Sequence, residues 1–284
     1  MLSFVILHYQ VLEETINCIQ EIKNKIKNDY KIIVVDNCSP NGSGNKLKNM
    51  YKDDPFVKII LSNVNSGFAK GNNLGYRIAK ADNPDYIIVM NNDVMIETEN
   101  LLQKLNEIYA ETNFDILGPD IYSTKTKLHQ NPQRESNYKL DDLKQQYNKL
   151  LFKNKFKFLL KVKYLFGLNK AEEKQNPRFE SIHFNVVLHG ACYIFSKNFI
   201  QTHEDCFYNG TFMYYESYIL HYLGSRENLT MIYHPEIKVL HHEDVATNGS
   251  YGSSYTKAVF VNKCLLDSCG KFIKLIESDL KKNM

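Results

Sequence analysis

A chain of 284 residues, 43% of them hydrophobic, can bury a substantial core in one large domain, with or without an appendage. A net charge of +3 is too small for nucleic acid to be the main partner, so any basic surface is local. Six cysteines, at positions 18, 38, 192, 206, 264 and 269, show neither paired metal-site spacing nor the density of a disulfide scaffold, which fits packing residues in a reducing compartment.

Met1 leads into the apolar run Leu2 to Leu7, without the basic start or small-residue cleavage site of a signal peptide. No apolar stretch reaches the roughly 18 residues of a membrane span, so the expectation is a cytosolic protein with at most peripheral membrane contact. Leu2 to Leu7 reads as a strand, and Glu13 to Lys27 as a helix with Ile16, Ile19, Ile22 and Ile26 at helical spacing. A strand at Lys31 to Val35 ends in Asp36-Asn37-Cys38-Ser39, a helix follows from Asn45 to Tyr51, and Val57 to Leu61 is a third strand. This alternation predicts a parallel sheet with right-handed crossovers, the start of a nucleotide-binding α/β layer. Next, Asn63 to Gly75 reads as a loop and first helical turn before the helical run Tyr76 to Lys80. Its glycines, 67, 71 and 75, match neither the dinucleotide fingerprint nor a Walker loop. They serve either close approach to a ligand or helix packing.

Tyr86 to Met90 reads as a buried strand, and Asn91-Asn92-Asp93 stands where it leaves the core at its carboxyl end. Open α/β sheets bind ligands at that edge, so Asp36 and Asp93 would share one crevice; in isolation the triplet also reads as a polar turn. Ile96 to Tyr109 is an amphipathic helix, and Tyr122 to Phe179 shifts to Lys, Asn and Gln. There Lys149, Lys153, Lys157 and Lys161 form one helical stripe, opposite Leu151, Phe158, Val162, Leu165 and Phe166. Three readings stand for this stretch: contact with an anionic membrane surface, packing on the rest of the chain, or a homo-oligomer contact. Phe184 to Ser196 reads as a strand stopping at a helix N-cap, Ser196; Gly190 in it either leaves room for a substrate or marks a bulge. Ala246 to Thr256, rich in Gly, Ser and Tyr, is expected to be a mobile loop able to close over a ligand, and Lys257 to Lys282 a basic terminal helix.

Four stretches carry a resemblance: Val5-Ile6-Leu7-His8-Tyr9, Val34-Val35-Asp36-Asn37-Cys38-Ser39, Asn65-Ser66-Gly67-Phe68-Ala69-Lys70-Gly71-Asn72-Asn73 and Met90-Asn91-Asn92-Asp93-Val94. In this order they are similar to motifs of glycosyltransferase family 2, and within it to the branch often called rhamnosyltransferases. The resemblance implies an α/β GT-A fold, a Rossmann-like mostly parallel sheet flanked by helices, with a helical insertion and a C-terminal helical extension. It also implies a nucleotide-diphosphate sugar donor, Mn²⁺ or Mg²⁺, and inversion at the anomeric carbon. It divides the chain into a nucleotide-sugar half (1–121), a helical basic insertion (122–180), an acceptor-binding and catalytic half (181–256) and a C-terminal helix (257–284). Asp115 to Pro119 resembles the family's short strand and turn after the first half's last helix.

By the resemblance, His8 and Tyr9 line the nucleoside pocket, although the family has a small hydroxyl residue at position 8 and Asn where Gln10 stands. Asp36 would accept a hydrogen bond from the imide N–H of uracil or thymine; its other reading is a turn cap. Asn37, Asn65, Gly67, Phe68, Asn72 and Asn92 would frame the donor, and Gly190 would lie beneath the sugar and acceptor. Asp93 would be the main hard oxygen ligand of the metal, with the donor diphosphate supplying others. His241, ending the strand after Tyr233-His234-Pro235, would complete the site and favours Mn²⁺ slightly, with His242 as the fallback. In Phe212-Met213-Tyr214-Tyr215-Glu216-Ser217 the family has two adjacent acids; Glu216 keeps the first as candidate general base, while Ser217 replaces the second. Glu204 or Asp205 would be a substitute.

The function expected is transfer of a sugar from dTDP-rhamnose or a UDP-hexose to a growing cell-surface polysaccharide or lipid-linked oligosaccharide at the inner face of the cell membrane. The alternatives are a sugar-nucleotide-binding scaffold that has lost its base at Ser217, and a nucleotidyltransferase. The latter would carry a glycine-rich basic loop after the first strand, which His8-Tyr9-Gln10-Val11-Leu12 does not supply.

Overall fold

A computed structural model describes residues 1–27, 29–156, 179–243 and 254–282. Among them, nine strands form one mixed sheet: β1 (Leu2–His8), β2 (Tyr30–Asp36), β3 (Val57–Leu61), β4 (Tyr86–Asn91), β5 (Val94–Ile96), β6 (Ile116–Ser123), β7 (His183–Phe184), β8 (Cys192–Ser196) and β9 (Met231–His241). The helices are α1 (Leu12–Lys25), α2 (Ser43–Met50), α3 (Gly67–Lys80), α4 (Leu101–Thr112), α5 (Leu140–Lys155), α6 (Lys197–Thr202), α7 (Glu216–Arg226) and α8 (Ser254–Lys282).

The strand order is β3-β2-β1-β4-β8-β6-β9-β5, with β7 on β9. β3, β2, β1 and β4 are parallel, as the crossover pattern predicts. The register sets His8 beside Asp36 and Leu7 beside Asn91, so the carboxyl ends of three strands finish level. β8 then runs antiparallel to β4, and Asn91 N–H donates to the Ala191 carbonyl at 2.9 Å, delivering residues 189–191 to the same edge. β9 pairs with both β6 and β5, and the pairing Val94↔His241 sets His241 next to Asp93.

Alternation along the parallel strands produces two cores. Phe4, Ile6, Ile32, Val34, Ile88 and Met90 face α1 and α4, while Val5, Ile33, Val35, Ile87 and Val89 face α3 and α6. A third cluster, Leu143, Leu150, Ile219, Cys269, Phe272 and Ile276, joins α5, α7 and α8. Five of the six cysteines are buried, Cys38 is exposed, and all six are unbridged. Among the described residues no helix is long and apolar enough to cross a membrane.

Several expected elements shift. α3 begins at Gly67, so most of the expected loop is helix. Val94 to Ile96 pairs with β9, and α4 therefore starts only at Leu101. β6 continues through Pro119 to Ser123 beside β9. The expected strand from Phe184 to Ser196 is two strands, with Gly190 in the break between them. Ser196 stands at the N-cap of α6 but makes no side-chain capping bond. α5 buries Leu143 and Leu150 against α8, so Leu151, expected on the apolar face, is 45% exposed, and Phe152 beside it is exposed too. Lys157, Phe158, Lys161, Val162, Leu165, Phe166 and the expected loop over 246–253 lie outside the described residues; Ser254 to Thr256 open α8 instead.

Candidate active site

A cavity of about 800 Å³ opens at the carboxyl ends of β1 and β4. One part of it is walled by Tyr9, Asn37, Asn65, Gly67 and Phe68. Asn37, just past β2, organises this wall: its amide donates to Asn65 Oδ1 at 3.0 Å and to the Gly67 carbonyl at 3.2 Å, and its Oδ1 accepts from Ser66 N–H at 3.0 Å.

The glycines of α3 have identifiable roles. Gly67 has φ +83, and a Cβ there would stand 2.1 Å from the Phe212 carbonyl oxygen, which accepts from Phe68 N–H at 2.7 Å. The close approach at Gly67 is therefore to the Phe212 backbone, tying the start of α3 to the segment that leads into Glu216. Gly71 lies on Leu7, and Gly75 on Val5 and Val35, so the helix-packing reading holds for both. Asn72 turns into its own helix, donating to the Phe68 carbonyl at 3.0 Å, and does not line this cavity. Its neighbour Asn73, which the motif alone does not single out, clamps residues 206–209: its Oδ1 accepts from Cys206 and Phe207 N–H, and its amide donates to the Phe207 carbonyl and Asn209 Oδ1.

His8 and Asp36 stand behind the wall rather than in it. His8 is fully buried, with Nδ1 2.7 Å from Thr15 Oγ1 and Nε2 2.8 Å from Ser43 Oγ. Ser43 Oγ donates to Asn41 Oδ1, so it accepts from His8 Nε2–H, and Nδ1 accepts from Thr15. Burial lowers the His8 pKa, opposed by the Asp36 carboxylate 3.9 Å away. The expected nucleoside contact of the His8 side chain is thus replaced by a neutral buried strut. Thr15 also accepts from the Asn92 amide at 2.9 Å, so one polar chain links β1, α1 and the residue before Asp93. The Asp36 carboxylate is buried and accepts from Ser39 N–H at 3.3 Å, as a turn cap does.

Asp93 is buried at the cavity surface, and its Oδ1 has no hydrogen-bond partner. The facing atom is His241 Nε2, 3.4 Å away. A buried carboxylate oxygen without a bond, beside an imidazole nitrogen, is a donor set that fits a divalent cation. Two such ligands do not close a shell, and among the described residues no group of three His, Cys, Asp or Glu side chains is disposed to hold a metal. Oxygens of a bound diphosphate would have to complete it. His242 is engaged elsewhere, with Nδ1 3.0 Å from Thr124 Oγ1 and Nε2 3.2 Å from Met95 Sδ. His189 is a wall residue that sequence reasoning missed: Ala191 N–H donates to its Nδ1 at 3.2 Å, and burial, with His241 nearby, holds its pKa down to about 3. It therefore presents a neutral N–H.

Glu216 opens α7, on the opposite wall. Tyr214 and Tyr215 both take left-handed backbone, φ 72 and 67, and that turn brings the carboxyl inward. Burial raises its pKa to about 7, against the pull of its own backbone N–H and of Thr211, whose hydroxyl donates to Oε1 at 3.0 Å. A carboxyl so placed exchanges protons near neutral pH. Ser217 lies over Gly190, where a Cβ would stand 3.4 Å from its Oγ, and is bonded to Tyr193 Oη at 2.8 Å. Glu204 and Asp205, the substitutes for a second acid, instead pair with Lys80 at 2.5 Å and Arg77 at 2.6 Å on α3. Tyr9, Asn37, Asn65, Gly67, Phe68, Asn92, Asp93, Gly190, Glu216 and His241 thus meet in one cavity, and His8, Asp36 and Asn72 support it from behind.

Comparison with known proteins agrees with this architecture. Over 97% of this chain and 78% of its own length, the low-salt glycan biosynthesis hexosyltransferase Agl10 of Haloferax volcanii is 24% identical. Glycosyltransferase GlyG of Streptococcus pneumoniae is 24% identical over 43% of this chain and 40% of its own. Crystal structures of S. aureus TarS 1–349 superpose with TM-scores of 0.56 with UDP and 0.53 with UDP-GlcNAc, at 12% and 11% identity, covering 85% and 92% of this chain. This chain spans 60% and 66% of those two TarS chains, and the likeness shows the fold, GT-A. The sequence model described as Glycosyl transferase family 2 matches residues 3–171, more than half of the 284, and the chain belongs to that family.

Proposed function

We propose that this glycosyltransferase is inverting and metal-dependent, moving a sugar from a nucleotide-diphosphate donor to a hydroxyl of a saccharide acceptor. The acceptor we favour is a growing cell-surface polysaccharide or lipid-linked oligosaccharide, met at the cytoplasmic face of the membrane. The observation that carries the reading is the pairing, in one cavity, of a buried carboxyl with its pKa at about 7, Glu216, and a carboxylate with an unpartnered oxygen, Asp93.

In this reading the base and ribose lie against Tyr9, Asn37 and Asn65. Glu216, ionised, takes the proton from the acceptor hydroxyl as its oxygen attacks the anomeric carbon from the face opposite the leaving group. Thr211 orients the carboxylate that does this. Gly190 leaves the cavity floor without a side chain beneath the sugar. Asp93 and His241 would hold the cation, Mn²⁺ or Mg²⁺, which when bound offsets the charge of the departing nucleoside diphosphate. UDP-hexoses are favoured over dTDP-rhamnose because the TarS neighbours bind UDP and UDP-GlcNAc and the Haloferax relative is named a hexosyltransferase.

The test is release of nucleoside diphosphate by the purified protein from UDP-, dTDP- and GDP-sugars with Mn²⁺, Mg²⁺ or EDTA. Slow release from a UDP-sugar, lost with EDTA, is expected. One observation favours a second reading, a donor-binding subunit without turnover: Ser217, where the family has an acid, is tied to Tyr193. That reading requires a donor to raise the melting temperature while no donor is consumed with any saccharide acceptor.

A further inference from the structure

We propose that Gln130 and Glu243 are positioning residues that fix which nitrogen of His241 carries the proton, leaving Nε2 bare toward Asp93. The inference rests on the reading of Asp93 and His241 as a cation site. Three side chains form a line: Glu243 Oε1 accepts from the Gln130 amide nitrogen at 2.5 Å, and Gln130 Oε1 lies 2.7 Å from His241 Nδ1. Beyond them, His241 Nε2 lies 3.4 Å from Asp93 Oδ1.

The direction of the line follows from which groups can donate. A carboxylate only accepts, so Glu243 requires the NH₂ end of Gln130. The carbonyl end then points at His241, and that bond exists only if Nδ1 carries hydrogen. In a neutral imidazole Nε2 is then unprotonated, and it faces the carboxylate oxygen that has no partner. With the ring neutral, two lone-pair donors are thus held face to face, an arrangement a cation satisfies and a hydrogen bond cannot.

Without Glu243 the amide of Gln130 can rotate by half a turn at little cost. Its NH₂ would donate to a bare Nδ1, the proton would reside on Nε2, and Nε2–H would donate to Asp93. The three remaining side chains would close the site on themselves. Glu243 decides between the two states, although it is 113 residues from Gln130 in sequence. β6 and β9, adjacent and parallel, bring together the two segments that carry the line. Gln130 lies outside the stretches that resemble the family, and Glu243, two residues after His241, has no part assigned by the resemblance, so their role was not legible there.

The test uses the full chain labelled with ¹⁵N-histidine, metal-free and at a pH where the rings are neutral, with His241→Ala to assign the signal. Long-range ¹⁵N–¹H correlation should show His241 protonated at Nδ1 in the native protein. In Glu243→Ala and Glu243→Gln it should move toward the Nε2–H form. Mn²⁺ affinity in the presence of UDP, read by electron paramagnetic resonance, should fall about 10- to 100-fold in Glu243→Ala and in Gln130→Ala. A native protein with His241 protonated at Nε2, or variants that fold and keep both tautomer and affinity, would overturn the proposal. Should the tautomer shift as expected while the native protein binds no Mn²⁺, the positioning role stands and the cation reading fails.

Discussion

Burial lets Glu216 exchange its proton near neutral pH and also makes its ionised form costly. Below pH 4.5 the carboxyl is protonated in both the folded and the unfolded chain. Between 4.5 and about 7 the unfolded chain releases the proton while the folded chain keeps it, so stability falls as pH rises. Above about 7 the cost is complete, roughly 3 kcal/mol for a shift of this size. Glu216→Gln should therefore melt like the native protein at pH 4.5 and roughly 5 to 10 °C higher at pH 8. Its kcat should drop about 10²- to 10⁴-fold, with UDP binding kept. Native kcat should rise with pH and level off above about 7, and unchanged turnover in Glu216→Gln would move the base to another group. Asp93→Asn keeps the shape and removes the charge; it should abolish the Mn²⁺ dependence of UDP binding in a calorimetric titration while uridine binds as before. The place of Asp93, Glu216 and His241 at the cavity was legible in the sequence because each stands at or beside the end of an element inside a recognisable motif. His189, Gln130 and Glu243 were not, because they reach the cavity only through sheet order, nor was Thr211, which meets Glu216 only through a turn with two left-handed residues. The sequence also misplaced the side chain of His8, since nothing in a strand's last residue says that Thr15 and Ser43 enclose it.

At the scale of the element, α3 couples the sheet to the segment that leads into Glu216. Its last two glycines let it lie on Val5, Leu7 and Val35, and its first touches the Phe212 backbone four residues before Glu216. Gly67→Ala and Gly75→Ala should therefore differ in kind. Alanine at 75 meets Val5 Cγ1 at 2.4 Å and pushes on the core, so it should lower the melting temperature while folded protein keeps its kcat. Alanine at 67 carries the cost of positive φ, about 1–2 kcal/mol, and drives a methyl into a backbone carbonyl that cannot rotate aside. It should shift the 212–216 turn, so kcat per folded molecule should fall at least tenfold when turnover is normalised to circular dichroism. Equal kcat in the two variants would sever this link. Periodicity marked the glycines but gave α3 too late a start, because a helix opening on Gly-Phe-Ala-Lys-Gly carries no apolar stripe. α5 was rotated for a related reason: lysine spacing located a helix, while Leu143 and Leu150, packed against α8, decide which side is buried.

Across the whole molecule, two apolar cores sandwich the sheet and a third cluster stands apart, formed by α5, α7 and α8. The parallel half was legible because each crossover is local. The order β8-β6-β9-β5 was not, since it pairs strands from distant parts of the chain and places β8 between β4 and β6. The third cluster backs Glu216: Phe272 of α8 is fully buried, edge-on to Tyr222 at 5.7 Å and 6.4 Å from Tyr215, the residue before Glu216. Ser268, one turn earlier, donates to the Met213 carbonyl at 2.7 Å. α8 thus fixes the turn that leads into Glu216, while the end of the cavity lined by Tyr9, Asn37 and Gly67 is built on β1, β2 and α3. Phe272→Ala should remove about 3–5 kcal/mol, and the loss should be local. Hydrogen exchange should quicken about 10²- to 10³-fold in α5 and α8 and stay unchanged in β1 to β4. UDP affinity should hold within about twofold while acceptor-dependent turnover falls, since only the base has lost its support. Uniform acceleration in every strand would mean that the three clusters open as one, and the backing of Glu216 would then be inseparable from the stability of the whole chain.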